Sequence, residues 1–245
     1  MCTLTYIPDE KNGYFLTQNR DESPKRVASG LITRQFGKHI LLYPKDSGAG
    51  GTWIVISNQN QFVALLNGAQ VKHSHRPPYR RSRGLMVLDF FAFANAKHFF
   101  EQYTFEGMEP FTMIIYQNDT LYEIRWDAQQ QSIKPLDIAK AHLWASSTLY
   151  PPDVQQKRQT WFRDWLTNRT EINLDTVLHF HQTAGDGDPS NDLVMNRNNL
   201  VCTTSITTIQ KTDHKVDMQF IDLIHQNNAT DHLKLSNEYL ATFQK

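Results

Sequence analysis

Cysteine is nearly absent from this chain: only Cys2 and Cys202 occur. Two cysteines cannot staple 245 residues, and no Cys-x-x-Cys pair offers a metal or haem-attachment spacing. So sparse a usage fits a reducing compartment, and a cytoplasmic location is expected. Net charge is absent too, with 25 Lys and Arg against 25 Asp and Glu. That balance removes any global electrostatic argument for a nucleic-acid partner. No run of about 18 apolar residues exists, so no membrane-spanning helix is expected. The first ten residues lack a basic segment and a long apolar stretch, and Asp9 and Glu10 follow at once, so no secretory signal is expected. Linker-like tracts, low-complexity segments and internal repeats are missing, so a single domain over 1–245 is expected. What is present is ordinary globular material, 40% apolar and 20% charged, at a length that buries a sizeable core.

The elements follow from periodicity and turn chemistry. Residues 3–7 are β-branched and aromatic and predict a strand, 8–13 a turn ending in Asn12-Gly13, and 14–18 the returning strand. This hairpin brings Cys2 close to Asn19-Arg20-Asp21-Glu22. Short strands are expected at 31–33 and 39–43, and then at 53–57 and 62–66 around a turn at 58–60. A basic, proline-containing loop covers 71–83, and one helix is expected over 84–103. Residues 111–116, 121–126 and 133–136 read as a meander, and 142–147 as a further strand. Pro151 opens a helix to 166, with Trp161 and Trp165 at i,i+4 spacing; a second helix covers 174–182. Strands at 200–210 and 216–223 precede a tail with a short helix. Antiparallel hairpins with helices in blocks define an α+β fold rather than a doubly wound sheet.

Cys2 follows the initiator directly. With Met1 removed, one residue would carry both a thiol and a free α-amine. Their ordinary pKa values are about 8.5 and about 7.7–8.0, so the amine can act as base near neutral pH while the thiolate attacks. This pair suits attack on a carbonyl, with amide or ester cleavage through a thioester. A carboxylate such as Asp21 would orient the amine, and Arg20 would position Asp21 or the substrate. Exposure and a low pKa should make Cys2 alkylate faster than Cys202.

Cys2, the run Asn19-Arg20-Asp21-Glu22, then Gly50-Gly51-Thr52-Trp53 and Ala64-Leu65-Leu66-Asn67 together resemble the NRDE family of transport-and-Golgi-organisation-type proteins. The resemblance covers about the first 70 residues. It implies the four-layer αββα sandwich of the N-terminal-nucleophile hydrolases, whose cysteine branch includes penicillin V acylase and bile-salt hydrolase. That branch places an Asp at the position of Asp21. It also uses an Arg where this chain has Gln18, an Asn in a strand that here reads Ala145-Ser146-Ser147-Thr148, and a late Arg where Val201-Cys202-Thr203-Thr204-Ser205 stands. The resemblance further implies a second reading: a non-catalytic carrier, with haem trafficking as the associated role.

The remaining features carry two readings each. The loop from Lys72 to Arg83, with His73, His75, Arg76, Arg80 and Arg81 and no acid between, reads first as a solvated basic loop paired with acids elsewhere. Its second reading is an anion-binding wall in which Arg80 and Arg81 meet a carboxylate, phosphate or propionate. Asn67 is either an oxyanion donor or the turn former before Gly68. Trp53 after its glycines is a packed aromatic or, with Asn19, part of a ligand wall. His179 and His181 are two apart on a helix and do not share a face, which argues against a metal pair. Residues 186–192 lack the Gly and Glu of a calcium loop, and Cys202 reads as a core thiol. No cofactor is called for. The expected catalytic set is Cys2, Arg20, Asp21 and Asn67, acting on a small molecule, with an anionic one as the expectation from the basic loop.

Overall fold

The computed structural model describes residues 2–9 and 13–241. Strands β1 (Cys2–Asp9) and β2 (Gly13–Glu22) form the expected hairpin, with Cys2 opposite Arg20 and Asp9 opposite Gly13. The expected turn residues 10–12 lie outside the described residues. Both strands are buried almost throughout, because both faces of their sheet are covered.

This sheet runs in the order β10 (His142–Ala145), β1, β2, β12 (Val201–Lys211), β13 (Lys215–Asp222), β14 (Ala229–Lys234), with the two-residue β11 (Asn196–Arg197) on the side of β12. The second sheet is a consecutive antiparallel meander: β3 (Ala28–Phe36), β4 (His39–Asp46), β5 (Ile54–Ser57), β6 (Phe62–Asn67), β7 (Phe111–Gln117), β8 (Thr120–Trp126) and β9 (Gln131–Leu136). The sheets meet face to face over Leu4 and Leu16 from one and Ile54, Ile56, Phe62, Ala64 and Ile114 from the other. The far face of the meander packs Val55, Val63 and Met113 against α1 (Arg83–Asp89) and α2 (Ala96–Gln102). The far face of the first sheet packs Ile7, Phe15 and Leu143 against α3 (Pro152–Thr167) and α4 (Leu174–Thr183). The layers are therefore α, β, β, α. No helix among the described residues is long and apolar enough to cross a membrane.

Three expectations change. The helix expected over 84–103 is broken into α1, a 3-10 turn at Phe90–Ala92, and α2. Asn95 restarts the chain as an N-cap, its Oδ1 accepting from the His98 amide at 2.9 Å. Helices of seven residues are not stable alone. Buried Met86, Phe90 and Phe99 fasten them, at roughly 1.5–3 kcal/mol per fully buried side chain. Strand β3 is longer than expected, carried through a register shift between Ala28 and Leu31 at Gly30, whose φ is +82°. Strand β14 was not expected: only its Leu233 is buried, so the hydrophobic signal is almost nil. The short C-terminal helix is present as α5 (Asn237–Leu240).

Candidate active site

A strand turns alternate side chains to opposite faces, and this divides the Asn19-Arg20-Asp21-Glu22 run. Gln18 and Arg20 point between the sheets, as do Cys2 and Leu4 on the neighbouring strand. Gln18 Nε2 donates to the Leu65 carbonyl at 2.8 Å. Asn19 and Asp21 point the other way, toward the α3–α4 layer.

Arg20 is 3% exposed. Its guanidinium donates to Asp46 Oδ2 at 2.9 Å and lies 4.5 Å from the Trp53 ring centroid. Asp46 also takes Arg26 Nε at 2.9 Å and the amides of Gly48 and Ala49. Burial opposes this charge, but the Ala49 amide and the Arg26 and Arg20 guanidiniums win, and Asp46 stays below the usual carboxylate range. Arg20 is thus held by Asp46 and does not position Asp21, from which it points away.

A cavity of about 220 Å³ opens here, lined by Cys2, Arg20, Trp53, Asn67, Arg81 and Arg83, among others. Cys2 is 1% exposed, and burial pushes its thiol up, with Asp21 adding and Arg20 opposing. The exposed, low-pKa thiol expected from the sequence is therefore not found. Cys202 is also buried and also pushed up. Asn67 ends β6. Its carbonyl accepts from Ser146 Oγ at 2.7 Å, and the Ser146 amide donates to the Cys2 carbonyl at 3.0 Å. Its side-chain amide has no hydrogen-bond partner among the described residues, so a donor remains on the cavity wall beside Cys2. Gly68 after Asn67 takes φ +83°, the turn conformation of the second reading, with Ser147 Oγ close to where a Cβ would sit.

Asp21 is fully buried on the opposite face. Tyr150 Oη donates to Oδ2 at 2.5 Å and Thr203 Oγ1 to Oδ1 at 2.7 Å. Burial pushes its carboxyl up; Arg158, Tyr150 and Thr203 oppose. Thr203 reaches Asp21 because the β2–β12 register shifts between Thr203 and Ser205. This irregularity also frees Thr204 Oγ1 to meet Arg20. Cys2 pairs with Arg20 and Thr3 with Asn19, so the Cys2 nitrogen lies on the Asp21 side of its pair.

Asn19 is not brought to the cavity. Its amide donates to the His181 and Leu193 carbonyls at 3.0 and 2.8 Å, and its Oδ1 meets His181 Nδ1 at 2.5 Å. Arg80 is also elsewhere: it donates to the Thr104 carbonyl and lies 5.3 Å from the Tyr103 ring. Arg81 lines the cavity but is forked onto Asp89 at 2.5 and 2.6 Å. Arg83, His73 and His75 converge on Glu109, at 2.7, 3.3 and 3.1 Å. Much of the basic loop is thus paired with acids from outside it, as its first reading had it. His181 is buried and His179 exposed. Among the described residues no group of His, Cys, Asp or Glu could hold a metal ion.

Sequence reasoning missed Asp46, Glu109, Tyr150, Arg158 and Thr203. Each is a lone polar residue outside the conspicuous run, and only Asp46, before Ser47-Gly48, stands in a recognisable Asx turn.

Two antiparallel sheets stacked between helices, with a cysteine at the start of an inner strand, define an N-terminal-nucleophile-hydrolase-like fold. The profile of the Transport and Golgi organisation 2 family matches residues 1–227, and the chain belongs to that family. Two variants of the conjugated bile acid hydrolase from Clostridium perfringens superpose with TM-scores of 0.63 and 0.62, at 10% and 9% identity. They cover 95% and 96% of this chain and 92% of their own. The N-acylethanolamine-hydrolyzing acid amidase ortholog of Caenorhabditis elegans superposes at 0.53 with 11% identity, covering 85% of this chain and 92% of its own. At such identities the likeness establishes the fold. No curated protein matches by sequence.

Proposed function

We propose that this chain is an N-terminal cysteine hydrolase that cleaves an amide or ester bond of a small polar molecule once Met1 has been removed. The observation that carries this reading is the register of Cys2: its thiol lines the cavity while its nitrogen lies toward buried Asp21. The raised thiol needs a base, and the freed α-amine supplies one. The amine takes the thiol proton as sulfur attacks the carbonyl carbon, Asp21 steadies the resulting ammonium, and Asn67 donates to the developing oxyanion. The leaving amine or alcohol takes the proton, and water then cleaves the thioester. Arg20, paired with Asp46 and stacked on Trp53, gives the cavity a fixed wall against which a small substrate can be oriented. Neighbours of this fold named for bile acid and N-acylethanolamine hydrolysis support the reaction class.

The carrier reading, with haem as cargo, has less support. Arg81 and Arg83 on the wall of the cavity beside Cys2 are already paired with Asp89 and Glu109, which leaves them little charge to offer a propionate. Intact mass and turnover of an N-acyl amide and lactam panel test the proposal. Loss of Met1 with turnover abolished by Cys2→Ala is expected. Retention of Met1 on the purified protein, or turnover that survives Cys2→Ala, overturns it.

A further inference from the structure

Asp21 is buried with two neutral donors, Tyr150 and Thr203. Burial favours an uncharged acid, and an uncharged Asp21 could not steady an ammonium. Something must keep the charge. Of the other titratable groups around it, the α-amine lends a positive charge only while protonated and must give it up to act as base; the Cys2 and Cys202 thiols are pushed up by burial and His181 on α4 is pushed down to about 3, so these three are neutral near pH 7. Arg20 points to the opposite face and is paired with Asp46.

Arg158 on α3 is fully buried. Its guanidinium lies 3.6 Å from the Tyr150 ring centroid, behind the phenol that holds Asp21. Its other partners are neutral: the Thr3 hydroxyl and the Asn191 and Asp192 carbonyls at 2.9 and 2.7 Å. Its Nε has no partner at all among the described residues. A buried cation without an adjacent carboxylate is expensive unless a counter-charge stands near. Arg197, the second cation at the Tyr150 ring, is farther, at 5.5 Å, and only half-buried.

We infer that Arg158 is a positioning residue: from behind the Tyr150 ring it keeps the Asp21 carboxyl ionised, and through Thr3 it braces the strand next to Cys2. The two buried charges stabilise each other across the ring, so neither is left alone. This rests on the hydrolase reading only for its purpose, since the charge of Asp21 can be read without turnover.

The test is carboxyl-carbon NMR of aspartate-labelled protein, with the Asp21 signal assigned by its loss in Asp21→Asn. Wild-type Asp21 should be ionised at pH 7. Arg158→Gln should raise its midpoint by at least one pH unit, Arg158→Lys should largely restore it, and Arg197→Gln should move it far less. An Asp21 still protonated at pH 7 in the wild type overturns the inference, and that measurement requires no variant to fold. A folded Arg158→Gln protein with an unmoved midpoint overturns it too, whatever its loss of melting temperature. Where the Asp21 midpoint moves as stated but no acyl substrate turns over, the hydrolase reading fails and the charge coupling stands.

Discussion

Tyr150 and Asp21, 129 positions apart, meet through a 2.5 Å hydrogen bond from the phenol to carboxylate Oδ2. The bond ties the loop before α3 to the inner strand β2, and both groups are buried. Tyr150→Phe keeps the ring over Arg158 and removes only this donor. Hydrogen bonds to charged groups contribute about 1.5–3 kcal/mol, so a loss of that size is expected in urea unfolding. In an Asp21→Asn background the same change should cost about 1 kcal/mol or less. Equal costs in the two backgrounds would show that the phenol does not serve the carboxylate.

His181 makes folding sensitive to acid. Its Nδ1 lies 2.5 Å from Asn19 Oδ1, and the Asn19 amide nitrogen donates elsewhere, so Nδ1 carries the proton. Its Nε2 then accepts from Thr5 Oγ1 at 2.7 Å. The neutral ring is satisfied on both sides. Burial, with Arg158 adding, pushes its pKa from 6.5 down to about 3. Below pH 6.5 the unfolded chain binds a proton that the folded chain refuses. Stability is therefore complete above about 6.5 and falls as pH drops toward 3, at up to ~1.4 kcal/mol per unit. Between pH 6.5 and 5 the usual carboxylates have hardly begun to titrate, so melts in that window read the buried histidines, His39 (also pushed down by burial) together with His181, and the His181→Gln variant separates their shares. A His181→Gln protein should lose most of the slope there. An unchanged slope would assign it to another group.

Much of this arrangement was readable before folding. The hairpin, the meander, α3, α4 and the α+β class follow from periodicity and turns, because those strands and helices carry strong signals. The same rule of two applied to β2 would also have shown that Arg20 and Asp21 point apart, and that Arg20 cannot hold its neighbour. Tyr150, Arg158 and Thr203 were not readable. They reach Asp21 only through the packing of α3 and the β2–β12 register shift, and no local spacing encodes either. Burial of Cys2 was equally silent, since a cysteine near a chain start reads as exposed until two sheets close over it.

Gly51 and Gly84 make an uneven pair. A Cβ on Gly51 would lie 2.3 Å from the Gly84 carbonyl carbon and 2.5 Å from its oxygen, and backbone cannot step aside. A Cβ on Gly84 would meet Thr52 backbone at 3.1 Å, a contact that small shifts relieve, and alanine suits a helix start better by up to about 1 kcal/mol. Gly51→Ala should therefore cost about 1–3 kcal/mol or more and loosen the cavity wall. Gly84→Ala should stay within about 1 kcal/mol of wild type. Thermal melts that rank the two the other way would mean that the approach of α1 to this turn is not tight.

The last expectation separates hydrolase from carrier with three proteins: wild type, Cys2→Ala and the double reversal Arg80→Glu, Arg81→Glu. In the folded protein Arg81 is committed to Asp89 and Arg80 to Thr104 and Tyr103. Reversing Arg81 sets two carboxylates against each other at α1, so this protein should melt lower. Cys2→Ala removes one buried sulfur and should cost only about 1 kcal/mol. If sulfur does the chemistry, Cys2→Ala ends turnover of acyl amides while the double reversal mainly raises KM, because a misplaced wall weakens binding more than it alters the attacking group. A carrier inverts the ranking: Cys2→Ala leaves haem affinity intact, and the double reversal lowers it beyond what its melting temperature explains. Haem titration and the amide panel, run on all three at one ionic strength because exposed charge contacts weaken with salt, decide between them. Absence of turnover in the wild type, together with haem binding lost only in the double reversal, would replace the hydrolase by the carrier.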